Sequence, residues 1–230
     1  MKSPEFSYDP KETQNKNENL EITPETYPDK KYWKRRNMIG ISDEEIIRRG
    51  RKESYNFQDS MSGSVVFGFI NENIGMIKNH TKGKTLFDIG CGKDGVFNAN
   101  IFLGRGKNGV DMGVSDVVLV DLHLKPDDDE IDNIKNKQIK FKKNDGLSFL
   151  ISQNFNAGCY FMSHIEYSLI PCAEYHQRIA QEIYRTIPED GIFISNGCYD
   201  IEKESEELFP VNKGMDGLKL FMKKELSKKE

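Results

Sequence analysis

Thr85-Leu86-Phe87-Asp88-Ile89-Gly90-Cys91-Gly92-Lys93-Asp94-Gly95 is the stretch that decides the fold. A short, mostly apolar run leads into three glycines at the spacing G-x-G-x-x-G, and a helix-like segment, 96–103, follows at once. This predicts a buried strand that turns sharply into a helix. Glycine lets the backbone turn tightly and lets a ligand lie against it with no side chain in the way.

The spacing alone does not choose the ligand; the residue two places before the first glycine does. A dinucleotide site has an apolar residue there, because backbone N–H groups at the helix start cradle the pyrophosphate and a carboxylate beside it would repel it. Here that residue is Asp88. An acid at this point suits a cation, and S-adenosylmethionine carries both an ammonium and a sulfonium. A plainer role, in which Asp88 caps the turn by accepting backbone hydrogen bonds, stays open.

Strands and helices alternate outward from this turn. Residues 85–89, 117–120, 139–142, 158–162 and 191–195 read as strands, and 96–103, 127–135, 147–152 and 175–187 as helices, the last with its stripe Tyr175, Ile179, Ile183. Upstream, Val66, Phe69, Ile70, Ile74 and Ile77 recur at the period of one helical face. Downstream, 202–208 reads as a helix and 218–224 as a strand. Apolar strands alternating with helices predict an α/β fold, a doubly wound, mostly parallel sheet covered on both faces.

Phe87-Asp88-Ile89-Gly90-Cys91-Gly92 resembles the first motif of the class I S-adenosylmethionine-dependent methyltransferases, and further pieces resemble that family in order from about residue 64 to 224. Val117-Val118-Leu119-Val120-Asp121 resembles the second strand and its terminal acid. Phe141-Lys142-Lys143-Asn144-Asp145-Gly146 resembles the third strand and its Asp. The run 158–162 followed by Ser163-His164-Ile165-Glu166 resembles the fourth strand and the loop over the reaction centre, and 183–191 the helix-turn-strand before the fifth. The resemblance implies a seven-stranded Rossmann-like sheet with an antiparallel C-terminal edge strand. It implies a cofactor, S-adenosylmethionine, leaving as S-adenosylhomocysteine. The cofactor would lie against Asp88, Gly90, Cys91, Gly92 and Gly95, with Asp121 and Leu122 at the ribose. Asn144, Asp145 and Gly146 would lie at the adenine, and Ser163 beside the reaction centre. Two positions depart from the family pattern. Asp121 lies far beyond Gly95, so Asp111 is an alternative ribose acid, although only Asp121 follows an apolar run; and Asn156 stands where the family often has Asp.

Methyl transfer from a sulfonium is an in-line displacement whose leaving group needs no proton, so the protein must mainly align the reactants and exclude water. A hydroxyl or ammonium acceptor must also lose a proton. His164 is the first choice as base, its ordinary pKa lying near neutrality; Glu166 and Tyr167 follow as base or positioning groups. A structural histidine at 164 is the alternative. The chain lacks the Asn-Pro-Pro-Tyr or Asp-Pro-Pro-Tyr tetrad of amino-methyltransferases after its fourth strand, which continues Met162-Ser163-His164-Ile165. Ser195 and Asn196 stand where ribose 2′-O-methyltransferases would want a lysine, and Pro171-Cys172 follows a loop rather than a strand. Elimination leaves a small-molecule acceptor as the leading expectation. RNA is the alternative acceptor, and a non-catalytic cofactor-binding module is the third reading.

Composition bounds these readings. The chain has 230 residues, 37% of them apolar, and a net charge of −4, which argues against binding nucleic acid through overall charge. Residues 1–29 hold seven acidic and three basic side chains and no apolar periodicity, and read as a disordered tail. Residues 30–63 read as a basic, helical N-terminal extension. Its arginines and lysines between 30 and 52 either coat a solvated helix or serve as a lid that grips an anion, and Ser42 and Glu45 have the spacing of a capping box. The methyltransferase-like domain is then 64–230. Cys91, Cys159, Cys172 and Cys198 show no metal-ligand or disulfide spacing. With no apolar run of about 20 residues and no secretory signal, the expected setting is cytoplasmic, with no membrane partner.

Overall fold

A computed structural model describes residues 46–47, 64–92, 95–105, 109–122, 138–163, 172–215 and 217–226. The segments read as tail, as the 127–135 helix and as nearly all of the basic extension lie outside the described residues. Within them, the β-branched and aromatic runs form β1 (Thr85–Ile89), β2 (Asp116–Asp121), β3 (Ile139–Lys143), β4 (Cys159–Ser163) and β5 (Phe193–Asn196). A C-terminal hairpin adds β6 (Val211–Met215) and β7 (Leu218–Met222). The helices are α1 (Ser64–Glu72), α2 (Ile74–Thr81), α3 (Gly95–Phe102), α4 (Gly146–Ile151), α5 (Ala173–Thr186) and α6 (Tyr199–Leu208).

The strands make one seven-stranded sheet in the order β3-β2-β1-β4-β5-β7-β6. β3, β2, β1, β4 and β5 run parallel, and β7 is antiparallel to both β5 and β6. Side chains alternate across a strand, so each central strand feeds two cores. Phe87, Ile89, Val120 and Met162 pack with α4, α5 and α6 on one face. Leu86, Leu119, Phe161 and Ile194 pack with α1, α2 and α3 on the other. This is the doubly wound, mostly parallel architecture expected from the alternation of elements. The winding reverses between β1 and β4, and open α/β sheets bind ligands in the crevice that such a reversal opens at the carboxyl ends of the strands.

The long helical pattern from Ser64 is interrupted at Asn73, whose side-chain amide donates to the Phe69 carbonyl at 2.8 Å. A side chain competing with the backbone ladder in this way separates α1 from α2. Ile46, from the basic extension, is fully buried in a helical turn and belongs to the core that contains Phe87 and Tyr160. That turn is therefore anchored rather than wholly solvated.

On α5, the stripe Tyr175, Ile179, Ile183 is buried as its period requires. Alongside it, Glu182 accepts from Arg178 at 2.9 Å and from Arg185 at 2.6 Å, and all three side chains are largely buried. Arg185 also donates to the carbonyls of Leu150 (3.1 Å) and Gln153 (2.9 Å), closing the C-terminal end of α4.

At the amino edge of the sheet, His80 is buried with its Nδ1 3.1 Å from the Asp190 carbonyl oxygen. Burial pushes its pKa below the ordinary imidazole range. The native state therefore binds fewer protons than the unfolded chain just below about pH 6.5, and the stability His80 contributes is lost as pH falls through that window. Thermal melts should show a decline on acidification there that His80→Gln reduces; an unchanged slope would remove the assignment.

Candidate functional site

The parallel strands deliver Ile89, Asp121, Lys143, Ser163 and Asn196 to one edge of the sheet. Beyond Ile89 the backbone enters the left-handed region at Gly90 (φ 71°) and Gly92 (φ 58°), where a side chain would be strained. The Gly90 N–H donates to the Val120 carbonyl at 2.7 Å and the Cys91 N–H reaches the same oxygen at 3.3 Å. The Gly92 N–H donates to Asp121 Oδ2 at 3.1 Å. The turn is thus fastened to the end of β2, and the two leading sequence motifs form one unit. A side chain at Gly95 would put its Cβ 2.9 Å from the Cys91 side chain, so only glycine lets α3 start so close. Cys91 is buried in the core there, a small packed residue beside the turn.

Asp88 lies under this turn, 1% exposed, and its Oδ2 has no hydrogen-bond partner among the described residues. The N–H groups of Gly90, Cys91 and Gly92 all donate elsewhere, so Asp88 caps none of them. Burial first, and the nearby Asp121 second, push its carboxyl well above the usual carboxylate range. An acid in this state is stable only as a neutral group or opposite a cation.

The two candidate ribose acids part company. Asp121 ends β2 against the glycine turn, with Leu122 half-buried just beyond it. Asp111 lies before β2 at the opposite end of the sheet, where it pairs with Lys78 at 2.9 Å and accepts from the Gly113 N–H.

The third motif comes to the same edge. The Asn144 N–H donates to the Asp121 carbonyl at 3.2 Å, and Asn144 Oδ1 accepts from the Asp145 N–H at 2.9 Å. Asp145 caps α4 through the Ser148 N–H at 2.9 Å, and its other oxygen accepts from the Tyr175 hydroxyl at 3.0 Å. A Cβ on Gly146 would lie 2.9 Å from Ile89 Cγ2, which lets α4 begin against the end of β1. Asp145 therefore orders this corner structurally, whatever ligand it meets. Asp145→Ala should cost about 2 kcal/mol through the lost cap and the lost tyrosine hydrogen bond. Urea denaturation checks it, and a midpoint equal to that of the unaltered protein would contradict the cap.

Ser163 closes β4, and its Oγ accepts from the Asn196 side-chain amide at 2.8 Å. Behind it, Glu202 is buried and accepts from the Ser195 hydroxyl at 2.6 Å and the Cys198 N–H at 3.2 Å. His164, Glu166 and Tyr167 lie outside the described residues. Sequence reasoning missed Tyr175 as the partner of Asp145 and Asn196 as the partner of Ser163. Tyr175 read only as one member of an apolar stripe, and Asn196 only as the absence of a lysine. No group of His, Cys, Asp or Glu that could hold a metal occurs among the described residues.

No protein-family model matches the chain, and no curated protein sequence matches it. Solved structures with a similar fold include spermidine synthase from Thermotoga maritima, with 14% identity, 70% of this chain and 61% of that one covered, and a TM-score of 0.44. They also include precorrin-6y C5,15-methyltransferase from Geobacter metallireducens (11%, 74% and 93%, 0.42). A third is a TehB-like SAM-dependent methyltransferase from Corynebacterium glutamicum (16%, 67% and 89%, 0.39). By its sheet order, its antiparallel β7 and the helices on both faces, the chain has the class I methyltransferase fold.

Proposed function

We propose that the chain is an S-adenosylmethionine-dependent methyltransferase acting on a small-molecule acceptor. The observation that carries this reading is the unpartnered, buried Asp88 oxygen beneath a glycine turn fastened to Asp121. The residues fit the cofactor's chemistry. Asp88 offers an acceptor to a cation, Gly90, Cys91 and Gly92 would take the close approach of the ligand, Asp121 and Leu122 would hold its ribose, and Asn144, Asp145 and Gly146 its adenine. The bound cofactor supplies an electrophilic methyl carbon on a sulfonium.

The protein's part is orientation and exclusion of water. Ser163 and Asn196, bonded to each other at the edge where β4 and β5 end, present a polar floor to an acceptor. His164 takes the proton of an acceptor hydroxyl or ammonium, and Glu166 and Tyr167 orient that acceptor. If His164→Gln turned over the true acceptor at the full rate, the base assignment would fall.

Titration calorimetry with S-adenosylmethionine and S-adenosylhomocysteine tests the cofactor, and tritium transfer into metabolite and RNA extracts tests the acceptor. Label in small molecules supports the proposal. Label in RNA, with affinity falling steeply with salt, would give the basic extension a phosphate-binding role instead. Binding without transfer into either extract would leave a cofactor-binding module, and no binding would overturn the reading.

A further inference from the structure

A second orphaned oxygen lies on the same side of the sheet as the first. Asn98 on α3 is buried, and its Oδ1, like Asp88 Oδ2, has no hydrogen-bond partner among the described residues. The register places these two side chains in one layer. Asp88 pairs across the sheet with Leu119 on β2 and Phe161 on β4. Alternation along β1 sends Phe87 and Ile89 to the opposite core, so Asp88 faces α3 together with Leu86. A Cβ on Gly95 would touch Leu119 at 3.4 Å, while the Phe102 ring packs on Phe161 with centroids 4.9 Å apart. Helix α3 therefore runs from above β2 to above β4. Asn98, on the same helical face as Gly95 and Phe102, crosses β1 at the level of Asp88.

Two unpartnered acceptor oxygens that meet in such a buried layer repel unless a hydrogen lies between them. We propose that Asp88 carries a proton in the free protein, donates it to Asn98, and releases it to solvent when a cationic ligand binds. Asn98 is then a positioning residue that holds the neutral acid in place. On binding, the Asp88 O–H bond breaks, its electron pair stays on the carboxylate, and the ligand's ammonium or sulfonium replaces the proton as the compensating positive charge. The raised carboxyl described above agrees with this, and Asp121 is the charged group among the described residues that acts on Asp88. The inference rests on the cofactor reading and adds a proton to its binding equilibrium.

Two measurements test it. Infrared spectra of the free full-length protein near neutral pH should contain the carbonyl band of an un-ionised carboxylic acid, lost in Asp88→Asn and shifted in Asn98→Leu. Its absence, which is what an ionised Asp88 accepting from a turned Asn98 amide would give, overturns the proposal. An unshifted band in Asn98→Leu removes Asn98 from it. Calorimetry with S-adenosylmethionine in buffers of different ionisation enthalpy, from about pH 5 to about pH 9, should show release of roughly one proton per site at the acid end, and none in Asp88→Asn. Methylthioadenosine, a neutral nucleoside lacking both charges, should release none. If S-adenosylmethionine binds with a heat that does not depend on the buffer, proton release is wrong while the cofactor reading stands. If it does not bind, both fall.

Discussion

Asp88→Asn weakens S-adenosylmethionine binding by about tenfold at alkaline pH, the loss expected when a charge-assisted hydrogen bond worth about 1.5–3 kcal/mol becomes a neutral one worth about 0.5–1.5 kcal/mol. The substitution keeps the size of the side chain and removes the charge that matches the ligand. It also relieves the fold of a buried acid, so the variant should be at least as stable as the parent near neutral pH. Native Asp88 binds more protons than unfolded Asp88, and the stability it contributes is greatest below the ordinary Asp range and declines as pH rises toward its raised value. The affinity gap should narrow on acidification, as the native acid becomes neutral too. Calorimetry across pH measures both trends. Equal affinity at alkaline pH would mean that the cation, if it binds, binds elsewhere.

Glu182→Ala destabilises the fold by about 3–5 kcal/mol, the effect of leaving buried charges without their partner. Arg178 and Arg185 converge on this one carboxylate from one turn on either side of it, and the Glu182 side chain is 2% exposed. The damage should extend to α4, because Arg185 holds the carbonyls of Leu150 and Gln153 only while Glu182 keeps it in place. Denaturant unfolding gives the magnitude, and hydrogen exchange at α4 shows the spread. A loss under about 1 kcal/mol would mean that both arginines reach water instead.

The central strands were legible because each is a mostly apolar run bounded by turn residues, with Asp88 the exception inside β1, and burial on both faces demands such runs. β1 matches its reading, and β2 extends one residue at each end, to Asp116 and Asp121. The polar neighbours ending β2 carry no periodic signal of their own. β6 went unread, since Val211–Met215 contains Asn212, Lys213 and Gly214 and becomes a strand only by pairing with β7. The break at Asn73 was equally silent: the apolar period runs straight through it, and the interruption depends on one amide turning back to a carbonyl. At the site, Gly90 and Gly92 were readable because a positive φ restricts the residue type there, Asp88 because its charge stands where a pyrophosphate would be repelled, and Asp121 because it closes an apolar run. The bonds from Tyr175 to Asp145 and from Asn196 to Ser163 join distant stretches of chain, and only the folded topology brings them together.

Among the described residues the sheet ends at β3 on one side and at β6 on the other. Lys140, Lys142 and Lys143 are exposed along the first margin, and Lys213 is exposed on the second. Unpaired strand margins invite another chain to continue the ladder, and lysines standing on them discourage it. With Lys140 paired to Asp116 and Lys213 to Glu225, a neighbouring molecule arriving β3 to β3 would set Lys142 and Lys143 against their own copies, so the strands that bound the described sheet also oppose its continuation into a fibre.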